Sequence, residues 1–167
     1  AAIKLVEGIA RGEENSRIIG GGVKVTGDKL GVRRVPHVKG QGLSGYDPRI
    51  LKGTGVTFAT SPQGADHTAG IVLPGPWDPE YNPIQPTEQA RRSRFMQQWM
   101  AAVDTLGICM MIGMTIRETP GLDKRLIACV SAVLGEKLDD GYVLDLGKSV
   151  LDFERRFNKA AGFTEED

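Results

Sequence analysis

The side chains best suited to chemistry in this sequence are two histidines, His37 and His67, and two cysteines, Cys109 and Cys129. No pair among them has the CxxC or HxxxH spacing of a self-contained metal site. Cys129 lies in the apolar middle of a helical pattern, which predicts a small buried side chain. Cys109 follows the point where a helical pattern ends at Gly107, so its thiol can point away from the helix, although a purely structural role is the alternative.

His67 lies in the stretch 61–70, which is rich in small residues. Small residues let a ligand approach closely, and histidine is the side chain best suited to proton transfer near neutral pH. His67 is therefore a candidate proton donor or acceptor; the alternative is a loop histidine bonded to solvent or backbone. His37 precedes an extended segment and is assigned no role. The basic run 91–94 is expected to form a solvated helix face.

The elements that must position these residues are mostly helical. Apolar residues recur at helical spacing from about 86 to 106, from 122 to 134 and from about 142 to 162. Asp47 and Pro48 predict the start of another helix that runs to about Ala59. Strand signals are few. We predict an all-α, multihelical fold.

A long loop over about 61–86 interrupts this helical pattern. It carries six prolines, at positions 62, 74, 76, 79, 83 and 86, and several glycines. A loop of this length in a compact domain is usually functional or an interface.

Composition restricts the function classes. The chain has 167 residues, 21 basic and 21 acidic, so its formal net charge of zero does not indicate a nucleic-acid-binding surface. Hydrophobic residues at 40% and charged residues at 25% are typical of a folded globular domain. No apolar stretch is long enough to cross a bilayer, and we expect an intracellular protein. The first helical pattern begins midway and the last ends close to the final residue, so we expect a piece of something longer.

Several segments in order resemble one family. The stretches 37–40 and 46–49 resemble the VKG…YDPR pattern of the tungsten-containing aldehyde:ferredoxin oxidoreductases. Residues 104–109 resemble that family's DxxGLC motif, with Ile108 in the leucine position. The stretch from 154 to 163 resembles its closing ER.FN…GF pattern. Each piece is weak alone, but the ordered set spans nearly the whole chain.

The resemblance implies a particular domain organisation. Members have an N-terminal β domain that forms a base for the cofactor and two mostly helical C-terminal domains. Residues 1–35 would then be the end of the preceding helical domain or connecting helices. Residues 36–167 would be the C-terminal helical domain that carries the DxxGLC-like motif.

The resemblance also implies cofactors and roles. The metal is tungsten or molybdenum, held by the dithiolenes of two pyranopterins beside a [4Fe-4S] cluster. Asp104 resembles the carboxylate that pairs with pterin N–H donors, and Ile108 and Met110 belong to the same cofactor-binding stretch. Cys109 matches the fourth cluster ligand, whose three companions lie upstream in the family. His67 resembles the proton donor or acceptor beside the substrate carbonyl.

The activity so implied is oxidation of aldehydes to carboxylic acids, with electrons passed through the cluster to ferredoxin in the cytoplasm. The implied partners are ferredoxin, the aldehyde and the remaining domains of the same polypeptide, with a homodimer left open and neither nucleic acid nor membrane involved. The isolated chain is expected to be inactive, because one cysteine cannot hold a [4Fe-4S] centre alone.

The sequence departs from the family pattern at two positions of the histidine loop. Gln63 and Ala69 stand where many members carry basic residues. Two alternatives therefore remain: a non-catalytic helical scaffold that keeps the family fold, and a reductase subunit of the same cofactor family that acts on an aromatic thioester.

Overall fold

The computed structural model describes residues 1–75 and 78–164. These residues form helices α1 (Ala2–Arg11), α2 (Glu14–Gly20), α3 (Gly22–Leu30), α4 (Lys52–Thr60), α5 (Gln89–Thr105), α6 (Met110–Glu118), α7 (Leu122–Leu134) and α8 (Tyr142–Ala160), and a hairpin of β1 (His37–Val38) and β2 (Gln41–Gly42). The all-α prediction is confirmed. Within this part of the chain no helix is long and apolar enough to span a membrane.

Helix α5 forms the centre of the fold. Its residues Met100, Ala102 and Val103 are fully buried, and burying side chains of the size of Val or Met stabilises a fold by about 1.5–3 kcal/mol each. Helix α8 packs directly against α5. Gly147 of α8 lies so close to α5 that a β-carbon at this position would overlap the carbonyl oxygen of Gln98. The lack of a side chain at this glycine therefore sets the spacing of the two helices.

A buried polar network joins α4 to α5. The hydroxyl of Thr57 lies 2.7 Å from the carbonyl oxygen of Gly70 and 2.7 Å from the hydroxyl of Ser93. A hydroxyl has one proton to donate, so Thr57 donates to Gly70 and accepts from Ser93. Gln97 extends the network by donating from Nε2 to the hydroxyls of Thr60, at 2.9 Å, and Ser93, at 3.1 Å.

The N-terminal helices pack on one another and on the hairpin. Gly8 in α1 lies against Ser16 in α2, and Gly27 in α3 lies against Val35. The hairpin turns at Lys39 and Gly40, which have φ values of 53° and 80°, as a two-residue type I′ turn requires. The division of the chain at residue 35 stays a prediction.

Most helix boundaries agree with the sequence pattern, but α4 does not. The predicted helix over 122–134 coincides with α7, and α8 and α5 lie within their predicted ranges. The predicted start at Pro48 is wrong. The carboxylate of Asp47 accepts a hydrogen bond from the backbone N–H of Arg49 at 2.9 Å, which closes a separate turn, and α4 begins only at Lys52. Helix α6 was not predicted.

One prediction of burial is wrong, and a second holds only for Arg91 and Arg94, which are exposed. Cys129 lies on α7 as predicted, but it is exposed, because the apolar face that α7 buries is centred on Ile127. The basic run 91–94 is not uniformly solvated: Ser93 is fully buried. Arg92 forms an ion pair with Asp78 and lies 4.3 Å from the centre of the Tyr81 ring.

The segment between α4 and α5 is described over 61–75 and 78–88, where it forms turns and extended chain with one bridge pair, Gly75 and Asp78. Pro76, one of the prolines of the predicted loop, lies outside the described residues.

Candidate functional site

The histidine loop begins directly after α4 and is fixed by a buried serine. Ser61 Oγ donates to the carbonyl oxygen of Gly64 at 2.8 Å and accepts from its N–H at 3.0 Å. Gly64 has a φ of 91°, and a β-carbon there would lie 2.6 Å from the carbonyl oxygen of Val38. Only glycine fits this position without strain, so the VKG turn and the histidine loop are held in contact by backbone alone.

Asp66 organises the part of the loop that carries the histidine. Its carboxylate accepts hydrogen bonds from the N–H and hydroxyl of Thr68, at 2.8 and 2.7 Å, and from Gln63 Nε2, at 2.6 Å. The Nδ1 atom of His67 lies 3.7 Å from Asp66 Oδ1. The Tyr46 ring also contacts His67, with ring centres 5.0 Å apart. His67 thus has a carboxylate and an aromatic ring as neighbours while about 32% of its side chain stays exposed.

The turn that follows Tyr46 is held by an ion pair. The side chain of Arg49 donates to both carboxylate oxygens of Asp47 at 3.0 Å from Nε. These hydrogen bonds lower the pKa of Asp47 to about 2. The YDPR stretch therefore forms a local structure of its own, and it presents the tyrosine to the histidine loop.

The DxxGLC-like motif is a helix terminus. The N–H of Ile108 bonds to the carbonyl of Val103 at 3.0 Å, and the N–H of Gly107 bonds to the carbonyl of Asp104 at 3.0 Å. With Gly107 at a φ of 69°, this is a Schellman motif. Ile108 then packs against the core. Asp104 is thereby placed on the exposed last turn of α5.

Cys109 follows at once as the N-terminal cap residue of α6. Its thiol is exposed and not in a disulfide. Backbone N–H groups of a first helical turn interact favourably with anions, so this position suits a thiolate ligand. Ile108 and Met110, on either side, are partly buried and pack against the core.

Asp104 interacts electrostatically with one carboxylate of the histidine loop and one of α8. Partial desolvation raises the pKa of Asp104, and the negative charge of Asp66 raises it further. Partial desolvation also raises the pKa of Glu154, on α8, and the charge of Asp104 adds to this effect. Asp66 and Glu154 were missed as site residues in the sequence, although the ER.FN resemblance begins at Glu154.

The structure thus brings His67, Asp66 and Asp104 to one region, while Cys109 lies five positions beyond Asp104. Over residues 1–75 and 78–164 there is no group of three or more His, Cys, Asp or Glu side chains that could hold a metal ion. The donor set fits one part of a larger cofactor site: an exposed carboxylate, which accepts N–H donors in a fork, and an exposed thiol. The roles assigned to the individual residues stay predictions.

Comparison with protein families matches the whole chain to one family. The family model described as "Aldehyde ferredoxin oxidoreductase, domains 2 & 3" matches residues 1–167. No curated protein and no solved structure matches the chain significantly.

Proposed function

Because the chain belongs to the aldehyde ferredoxin oxidoreductase family, we propose that it forms the C-terminal part of a site that oxidises aldehydes to carboxylic acids. Aldehyde and water give the acid, two protons and two electrons, and the electrons leave one at a time to ferredoxin. The observation that carries the proposal is the Schellman terminus of α5, which presents the Asp104 carboxylate and the Cys109 thiol at adjoining exposed positions.

A tungsten or molybdenum bis-pyranopterin and a [4Fe-4S] cluster supply the redox chemistry and the electron exit when bound. Asp104 accepts the pterin N–H donors in its charged, acceptor-only form. Because its pKa is raised, acidification weakens this contact earlier than it would for an ordinary aspartate. Cys109 provides one cluster ligand, and the others come from further domains of the same polypeptide.

His67 takes up a proton released from the substrate. Its Nδ1 faces the Asp66 carboxylate, so Nε2 is the atom that accepts the proton. Asp66 is itself held by three donors, so its carboxylate is fixed beside the imidazole. The Tyr46 ring contacts the imidazole and limits its rotation.

The test uses the complete polypeptide that contains this chain, produced anaerobically with tungstate. The chain supplies matched pairs of variants: His67→Asn against His37→Asn, and Cys109→Ser against Cys129→Ser. Proton-transfer residues contribute about 10²–10⁴-fold to rate. We expect His67→Asn to lower aldehyde-dependent viologen reduction by about that factor with metal content unchanged, and Cys109→Ser to remove the cluster's electron paramagnetic resonance signal. The control variants, His37→Asn and Cys129→Ser, should behave like the unaltered protein.

A scaffold without catalysis is the second candidate, and the neutral Gln63 beside Asp66 favours it. This candidate predicts no tungsten, no cluster and no activity in the complete polypeptide.

The first measurement is the mass of the polypeptide in its source cells, detected with an antibody to this domain. A band several times larger than 18.0 kDa supports the enzyme, and a band at that mass supports the scaffold. In either case, the isolated 167-residue chain should be inactive.

A further inference from the structure

A cleft of about 390 Å³ lies between α4, α5 and α8. The residues that line it do not include His67, Asp104 or Cys109. Its volume falls within the range of about 300–1,000 Å³ that is typical of small-molecule sites. The family resemblance assigns it no role.

Positive charge dominates the lining. Arg94 on α5 and Lys148 and Arg155 on α8 contribute three cations, whereas Asp152 contributes one carboxylate. Arg155 uses one guanidinium N–H to donate to the carbonyl oxygen of Thr60 at 2.7 Å, which fixes its head group at the cleft. Among the described residues, the side chains of Arg94 and Lys148 have no hydrogen-bond or ion-pair partner. Their donors are therefore available to a ligand.

The remaining lining suits an organic body with hydroxyl groups. Val56 and Leu151 contribute apolar surface, and the amide of Gln98 contributes polar groups. The carboxylate of Asp152 is an acceptor, so it can receive hydrogen bonds from ligand hydroxyls. The lining therefore combines cations that suit an anion with apolar and polar groups that suit a small organic molecule.

We propose that this cleft binds the phosphate ester of a hydroxylated small molecule, such as a nucleoside monophosphate or a hexose phosphate. A phosphate monoester carries about −1.5 to −2 charge at neutral pH, which complements three cations and one carboxylate. Guanidinium groups match phosphate oxygens in a bidentate fork. Ligand hydroxyls then bond to Asp152.

The test measures binding to the 167-residue chain by calorimetry at constant ionic strength. The probes are adenosine monophosphate, a hexose phosphate and inorganic phosphate. The double variant Arg94→Gln/Lys148→Gln removes two cations from the cleft. Arg125→Gln/Lys137→Gln removes the same charge from exposed positions on and just after α7. Circular dichroism verifies that both variants are folded.

We expect at least one ester to bind, and the cleft variant to weaken that binding by about tenfold or more, while the control variant leaves it unchanged. Tighter binding of adenosine monophosphate than of the hexose phosphate would assign a nucleotide, and the reverse a sugar phosphate. If neither ester binds, the proposal is overturned. It is also overturned if the cleft variant and the control variant weaken ester binding equally, or if inorganic phosphate binds as tightly as the esters.

Discussion

The side-chain amide of Gln63 donates a hydrogen bond to Oδ2 of Asp66 over 2.6 Å. This contact places a neutral group where the family resemblance led us to expect a basic residue. Burial raises the pKa of Asp104, and the negative charge of Asp66, which this neighbour does not neutralise, raises it further. A single residue of the histidine loop thus affects the protonation of the carboxylate proposed to hold the pterin.

Replacing Gln63 with arginine should lower the pKa of Asp104, because a cation beside Asp66 offsets the charge that now raises it. The measurement is a carbon-13 NMR titration of the side-chain carboxyls. Gln63→Leu removes the hydrogen bond without adding charge, so it should not lower the pKa of Asp104. If both variants change the pKa of Asp104 by the same amount, the effect is conformational and the electrostatic explanation is wrong.

The raised pKa of Asp104 also predicts the pH dependence of stability. The folded state holds this proton more tightly than the unfolded state, so the contribution to stability is largest below about pH 4 and is lost as pH rises through the folded-state pKa. Asp104→Asn should therefore stabilise the chain at neutral pH, by on the order of 0.5 kcal/mol or about 1–2 °C in Tm after allowance for solvent screening.

The gain should shrink as pH falls through the folded-state pKa of Asp104, and it should vanish below about pH 3.9, the ordinary aspartate value, where the carboxyl is protonated in both the folded and the unfolded state. Glu136→Gln removes a charge from an exposed turn residue and is the matched control for net charge. Thermal unfolding of both variants at several pH values tests the assignment. A gain that is the same at all pH values would contradict it, as would an equal gain in the control.

Gly64→Ala should destabilise the chain by about 2–4 kcal/mol, because it combines a left-handed backbone with a close approach to the Val38 carbonyl. Gly45→Ala is the control, since a β-carbon at that glycine meets no atom within 4 Å. Urea unfolding measures both. Loss of stability in the Gly64 variant alone indicates that the contact between the hairpin and the histidine loop is rigid. Equal, small effects would mean that the loop moves away at little cost.

Sequence pattern predicted the parts of the fold that depend on local chemistry. Apolar spacing and terminal glycines located α7 and α8, because a helix that buries one face repeats every 3.6 residues. The same reasoning failed at Asp47, since an aspartate before a proline suits both a helix cap and a separate turn. The ion pair with Arg49 and the backbone N–H of that residue select the turn.

Part of the candidate site lies in one stretch of sequence. The helix end at Gly107, beside Asp104 and Cys109, was visible in the pattern, but the new helix α6 that begins after Cys109 was not. The influence of Asp66 on Asp104, and that of Asp104 on Glu154, involves three separate segments. No local pattern encodes such a relationship, and it becomes visible only when the segments are packed.

The buried pair Thr57 and Ser93 connects the helix before the histidine loop to α5, and its energetic coupling can be measured. Thr57→Val leaves the Gly70 carbonyl without its donor and Ser93 without its acceptor, at an expected cost of about 1–3 kcal/mol. Ser93→Ala should cost a similar amount. In the double variant both partners are gone, so the total should fall short of the sum by about 0.5–3 kcal/mol.

Urea unfolding of the unaltered chain, the two single variants and the double variant completes this double-mutant cycle. Thr105→Val provides the control, because its hydroxyl donates to the carbonyl of Ala101 at an exposed position and its loss should cost little. Strict additivity in the cycle would mean that water or Gln97 replaces the missing partner. Measurable coupling would mean that the hydrogen bond between Thr57 and Ser93 joins α4 to α5 energetically, so that the start of the histidine loop at Ser61 is anchored to the central helix.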